Sequence, residues 1–198
     1  MSFFLCWYTL TPDMKRSLRG RIPASKRTAF FAHKSVVTHT MKIGVISDTH
    51  LYQVTDAFAA IYYRYLSDTD LILHAGDIVS PDVIDFLKQG NFHGVCGNMD
   101  PPEVKHFLPE KEVLILDRYR LGLIHGWGHA DGLEDRIASQ FQDVDIIVYG
   151  HSHRASNHVK KGVLFFNPGT ATGYSASGVH SIGLLELTDT IQGEIVKI

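Results

Sequence analysis

Along residues 42–198, apolar runs of strand length alternate with amphipathic stretches, and most of the apolar runs stop at a small polar group. The nearly continuous run at 42–47 predicts a buried strand, because strands covered on both faces lose their polar alternation. Residues 54–66 place Phe58, Ile61, Tyr62, Tyr65 and Leu66 on one side at helical spacing, which predicts a helix. Leu71-Ile72-Leu73 is the next strand. Pro81 opens a helix to about Lys88, as proline does at a first turn, and a strand follows from about Phe92 to Cys96. This βαβαβ order implies parallel strands with right-handed crossovers. The second half is richer in strands, at 113–116, 120–124, 146–149, 163–166, 181–187 and 191–196, with one helix near 131–141. The whole pattern predicts an α/β fold in which two packed sheets are flanked by helices.

Residues 1–40 lack a periodic core pattern. They hold seven Lys/Arg against the single acid Asp13, whereas the rest of the chain holds 12 basic and 20 acidic side chains. We read 1–40 as a basic N-terminal extension, disordered or upstream of the true start, because Met41 leads straight into the first strand. Its Arg-rich, acid-poor composition also fits a transit peptide loosely and a secretory signal poorly. Residues 41–198 form one expected catalytic domain. Their acidity argues against binding duplex nucleic acid, which needs a basic face to displace counterions, and favours small phosphorylated ligands. No stretch approaches the roughly 20 apolar residues of a membrane span. Cys6 and Cys96 supply no disulfide framework or thiolate metal site, so a reducing, cytoplasmic compartment is expected.

The chemistry lies in five motifs at the ends of apolar runs: Asp48-Thr49-His50, Gly76-Asp77, Gly97-Asn98-Met99-Asp100, His125-Gly126 and Gly150-His151-Ser152-His153. Singly, each has an ordinary reading as a polar loop, a turn pair or a helix cap. Jointly they supply the oxygen and nitrogen donors of a two-metal centre, at the carboxyl ends of strands where open α/β sheets leave a crevice. In D-x-H and H-x-H, extended backbone would send both side chains of a pair to the same side. A carboxylate can bridge two cations, and Asp77 is the natural candidate. His125 and His129 share i, i+4 spacing, but Gly126 stands where a zincin helix carries glutamate, which argues against a zinc protease.

The ordered set D-x-H, G-D, G-N-x-D, H-G and G-H-x-H resembles the calcineurin-like metallophosphoesterase family, in its branch of small single-domain bacterial and archaeal phosphodiesterases. The resemblance covers residues 41–198 and implies a four-layer α/β/β/α sandwich with mixed sheets. It further implies that Asp48, His50 and His153 bind a first metal and Asn98, His125 and His151 a second, with Asp77 bridging both and holding a bridging water as nucleophile. Such a centre retains about one positive charge, which attracts a phosphoester. Manganese is the metal the family favours; the donor set also admits Mg²⁺, Zn²⁺, Fe²⁺, Ni²⁺ and Co²⁺. Asn98 would also meet substrate. Asp100, by analogy with the family's acidic residue there, orients a neighbouring group, and His74 supports the site from the end of its strand.

One position departs from the broad family. Larger relatives have histidine after the asparagine, often assigned as the acid that protonates the leaving group, whereas Met99 has no proton to give. His129 is a weak substitute. Esters with acidic leaving groups, such as aryl phosphodiesters, are therefore the expected substrates. Rival readings are a phosphomonoesterase or nucleotide pyrophosphohydrolase on the same centre, and a metal-binding scaffold, since the retromer subunit of this fold serves mainly for protein contacts. All seven ligand positions are filled, which favours the enzyme. Homo-oligomerisation is left open.

Overall fold

The computed structural model describes residues 40–175 and 178–198; the expectations for residues 1–39 lie outside them. Strand β1 (Met41–Ile46) lies at the centre of a five-stranded sheet with β2 (Leu71–His74), β3 (Phe92–Gly94), β9 (Ser181–Leu187) and β10 (Ile191–Lys197), in the order β10-β9-β1-β2-β3. A second five-stranded sheet has the order β4-β5-β6-β8-β7, from β4 (Lys111–Leu116), β5 (Tyr119–Ile124), β6 (Ile146–Val148), β7 (Ser156–Lys160) and β8 (Val163–Asn167). Both sheets are mixed: β1, β2 and β3 run parallel, as do β5, β6 and β8, while β9, β10, β4 and β7 pair antiparallel.

Alternation along the strands builds the layers. Ile43 and Val45 of β1 point into the same apolar cluster as Leu71, Leu73, Leu121, Leu123, Ile146, Val148 and Phe166, which fills the space between the sheets. Ile46 and Ile72 turn the other way, against Phe58, Tyr62 and Leu66, spaced four apart on one helical face, and against Val83, Ile84 and Leu87. These belong to α1 (Asp56–Ile61), which continues as a π-helical turn over Tyr62–Leu66, and to α2 (Pro81–Leu87), with Pro81 in its first turn as expected. On the outer face of the second sheet, Leu133 and Ile137 of α4 (Leu133–Ala138) pack on Ile147, Tyr149 and Phe165. The result is the α/β/β/α sandwich the resemblance implies.

Two elements were not expected. Helix α3 (Pro102–Phe107) is one short turn and a half that starts from Pro101-Pro102, and buries only Val104. Strand β7 is a polar, largely exposed edge strand, so its sequence Ser-Asn-His-Val-Lys carries no apolar alternation to read. Among the described residues no helix is long and apolar enough to cross a membrane.

The register fixes where the polar loops begin. Ile46 is aligned with His74 and His74 with Gly94 in one sheet; Leu123, Val148 and Phe166 are aligned across the other. Six parallel strands, three from each sheet, therefore release their chains at matched levels.

Candidate metal centre

Each motif occupies a loop leaving one of those strands: Asp48 and His50 after β1, Asp77 after β2, Asn98 after β3, His125 after β5, His151 and His153 after β6. Backbone hydrogen bonds tie the loops to one another, Asp48 N–H to Gly76 O and His50 N–H to Asp77 O at 3.0 Å each, and Gly150 N–H to His125 O at 3.2 Å. The motif glycines allow this crowding. A Cβ on Gly97 would overlap Asp77 Oδ1, and one on Gly150 would overlap Ser47 Oγ and stand 2.8 Å from Asp48 Oδ2.

The backbone of the D-x-H and H-x-H motifs differs from the extended form expected. Asp48 (φ +55°), His50 (+50°), His151 (+68°) and His153 (+54°) all lie in the left-handed region, as does Asp77 (+58°). Side chains two apart converge here because each chain coils tightly around the site. Non-glycine residues seldom adopt this conformation, which costs of order 1 kcal/mol or more each and gathers at functional sites.

The seven side chains form two sets that share one residue. In the first, ligand atoms of Asp48, His50, Asp77 and His153 all lie within 4.8 Å of one another. His153 Nε2 is 3.0 Å from Asp48 Oδ1 and 3.4 Å from His50 Nε2, and His50 Nε2 is 3.7 Å from Asp77 Oδ2. In the second, His125 Nε2 lies 3.3 Å from Asp77 Oδ2 and 3.2 Å from Asn98 Oδ1, which is 2.9 Å from His151 Nδ1. Asp77 Oδ2 thus faces both sets, while Oδ1 of the same carboxylate accepts the Met99 N–H at 2.8 Å.

A proton inventory shows that these atoms fit cations. His125 Nδ1 lies 2.7 Å from Ala75 O, His153 Nδ1 2.5 Å from Tyr174 O, and His151 Nε2 2.7 Å from Gly128 O. A carbonyl only accepts, so in each ring the outer nitrogen carries a proton, and in the neutral ring the inner nitrogen presents a lone pair, the tautomer a metal requires. Asp48 Oδ1 is buried and accepts no hydrogen bond, although His153 Nε2 is beside it. Lone pairs so opposed need positive charge between them. Donors about 2.1 Å from a shared cation would be about 3.0–3.5 Å apart, close to the spacings seen.

The sequence profile of the calcineurin-like phosphoesterase superfamily domain matches residues 41–190. The chain belongs to this superfamily. It is 32% identical over 184 residues to a probable metallophosphoesterase of Methanocaldococcus jannaschii, covering 87% of this chain and 93% of that one. A phosphodiesterase of the same organism is 31% identical over 79% of this chain and 99% of its own length. Among solved structures, the vacuolar protein sorting 29 protein of Entamoeba histolytica in complex with Zn²⁺ superposes with a TM-score of 0.60 at 27% identity, over 79% of this chain and 99% of that one.

In this member of the superfamily the histidines titrate according to their surroundings. The Asp48 carboxylate raises the His153 pKa to about 9. Burial opposes charge on His125, yet contact with Asp77 and Asp48 holds its pKa above the ordinary value. Burial likewise pushes Asp77 up, and the His125 contact outweighs it, leaving the carboxyl below its usual range. In the metal-free chain a proton can therefore take the place between His153 and Asp48.

Residues outside the motifs complete the cradle. Asp100, expected to orient a neighbour, accepts N–H from Val79 (2.7 Å) on Oδ1 and from Gly97 (2.7 Å) and Asp77 (3.1 Å) on Oδ2. His74, fully buried, accepts the Gly76 N–H on Nδ1 and so donates from Nε2 to Thr49 Oγ1, at 3.1 Å each. Burial lowers its pKa to about 3, which keeps it neutral. Ser47 donates to Asp48 Oδ2 at 2.6 Å, Thr170 to Asp48 O at 2.9 Å, and Asn167 to Gly150 O at 2.9 Å. The last two donors belong to the Asn167-Pro168-Gly169-Thr170 segment at the end of β8, whose Asn-Pro-Gly pattern in the sequence marks a turn. Met99 is 60% exposed. His129 is turned outward, 3.4 Å from Asp131 Oδ2, and its described contacts run to Asp131 and Arg136 rather than to the seven.

Proposed function

We propose that the chain is a divalent-metal-dependent phosphodiesterase of small phosphoesters, holding two cations side by side. The reading rests above all on Asp77 Oδ2, a single carboxylate oxygen facing both His50 and His125. Asp48, His50 and His153 would hold one cation, Asn98, His125 and His151 the other, and Asp77 both. When bound, the cations supply Lewis-acid activation of water and neutralise charge on the phosphoryl oxygens, and manganese is the metal expected.

The chain's own groups set the stage for that chemistry. The Met99 N–H fixes Oδ1 of Asp77 and so aims Oδ2 at the shared position. Asn98 contributes a neutral oxygen, which leaves the site net positive for an anionic ester, and its amide nitrogen, without a partner among the described residues, is placed to donate to a phosphoryl oxygen. Met99 brings no acid, so leaving groups must depart without a proton from this position.

The test strips the purified protein with chelator, restores Mn²⁺, Mg²⁺, Zn²⁺ or Ni²⁺ separately, and assays an aryl phosphodiester beside the monoester, with Asp77→Ala as control. Diester turnover restored by metal and lost in the variant is the expected result. Monoester turnover alone would move the reading to a phosphomonoesterase. Two bound metals without turnover of any ester would favour the metal-binding scaffold; the Entamoeba neighbour, a Zn²⁺-bound protein, is named for vacuolar protein sorting.

A further inference from the structure

We infer that the recess at the Asn98 and His125 edge of the centre takes a flat aromatic arm of the substrate, an aryl group or a nucleobase, against the indole of Trp127. The inference rests on the phosphodiesterase reading and extends it from reaction to substrate class. The recess has a volume of about 520 Å³, within the roughly 300–1,000 Å³ of small-molecule pockets. Asn98 and His125 form part of its wall, so a group esterified to a phosphorus held by the second ligand set enters it directly. A separate recess of about 650 Å³ borders His151, His153 and Arg154 and leaves room for the other arm.

Trp127 is an unusual residue to find there. It is 44% exposed, belongs to none of the apolar clusters, and among the described residues its ring makes no aromatic contact and its indole N–H no hydrogen bond. Its backbone, in contrast, is held firmly. Arg136 donates to Trp127 O from Nε (3.1 Å) and Nη2 (2.9 Å), Gly126 turns the chain at φ +98°, and Gly128 O is fixed by His151. A large rigid π-face anchored beside the phosphoryl position, with its own partners missing, is the arrangement that stacks bases and aryl rings at little entropic cost. Lys105, also in the wall, has no ion pair among the described residues, which leaves its ammonium for a ring carbonyl or a hydroxyl of the same arm.

The experiment compares thymidine 5′-(p-nitrophenyl) phosphate with glycerophosphoethanolamine, a diester without a ring, on the metal-loaded wild type, Trp127→Ala and Trp127→Phe. Loss of a base–aromatic stack should lower the aromatic-to-alkyl ratio of kcat/KM by about 5- to 150-fold in Trp127→Ala, mainly through KM, and Trp127→Phe should recover most of it. A ratio unchanged in Trp127→Ala overturns the inference. Should the wild type turn over neither ester, the phosphodiesterase reading fails on its own. The recess is then tested by binding: in a Trp7→Phe background, adenosine 5′-monophosphate should quench Trp127 fluorescence saturably, and flat, unsaturable quenching overturns the inference.

Discussion

Asp100→Asn isolates the positioning of Asp77 from its chemistry. The carboxylate is buried and accepts three backbone N–H groups, from Val79, Gly97 and Asp77. An amide of the same shape must set its NH₂ against at least one of these donors. The Oδ1 side is the less damaging choice, because it faces only Val79, yet Val79 is a β-branched residue at φ +77° that this hydrogen bond helps to hold. The orphaned donor costs about 1–3 kcal/mol, and the two remaining bonds, no longer charge-assisted, weaken by about 1 kcal/mol each, for a loss of about 3–5 kcal/mol. Because Asp77 and Gly97 move with it, metal affinity should fall by about 10- to 100-fold, the usual effect of losing a group that orients a ligand. Urea denaturation of the chelated protein, followed by circular dichroism, measures the first quantity, and calorimetric Mn²⁺ titration the second. A loss below 1 kcal/mol with unchanged affinity would refute the reasoning.

Three further outcomes follow from the site. His74 has its folded pKa lowered to about 3, so its stabilising share is present above pH 6.5 and is lost as pH falls through 6.5 toward 3; up to about 5 kcal/mol should disappear on acidification, less in His74→Gln, as read from chemical denaturation across that range. His153 has the opposite sign. Its folded pKa near 9 means that its own stabilising share in the chelated protein is fully present below pH 6.5 and that up to about 3 kcal/mol is lost as pH rises through 9, whereas metal affinity should strengthen over the same interval because the proton competes for the site; a pH-independent affinity between 6.5 and 9 would contradict this. Finally, with Met99 at the position after the asparagine, aryl diesters should turn over at least tenfold faster than simple alkyl diesters, and equal rates would show that another group supplies the proton.

The parts of this molecule that were legible in its sequence are those where residue type and position are tightly linked. The apolar runs of β1, β2 and β6, buried on both faces, announced themselves, and so did Pro81 at the start of α2. The seven candidate ligands stood out because Asp, Asn and His at strand ends are a narrow vocabulary, and the fold brings all seven together. Strand β7 and helix α3 escaped because one is a polar edge and the other buries a single valine. The carbonyls of Ala75, Gly128 and Tyr174, which set the histidine tautomers, were illegible for a deeper reason: every residue has a carbonyl, and only tertiary structure says which one faces a ring. The left-handed turns at Asp48, His50, His151 and His153 were hidden likewise, since a D-x-H written in one-letter code is equally compatible with an extended chain.

Those left-handed turns bear on how such a chain can change over generations. At His50, His151 and His153 a glycine would relax the backbone and remove a nitrogen donor in the same step, so the substitutions that relieve strain there are the ones that dismantle the centre. Selection for robustness alone would therefore erode the site, and drift toward glycine or asparagine at these places would be an early, recognisable trace of a lineage that has stopped using it. Histidine at these three positions costs the metal-free fold about 1 kcal/mol or more each, a cost that bound cations would offset.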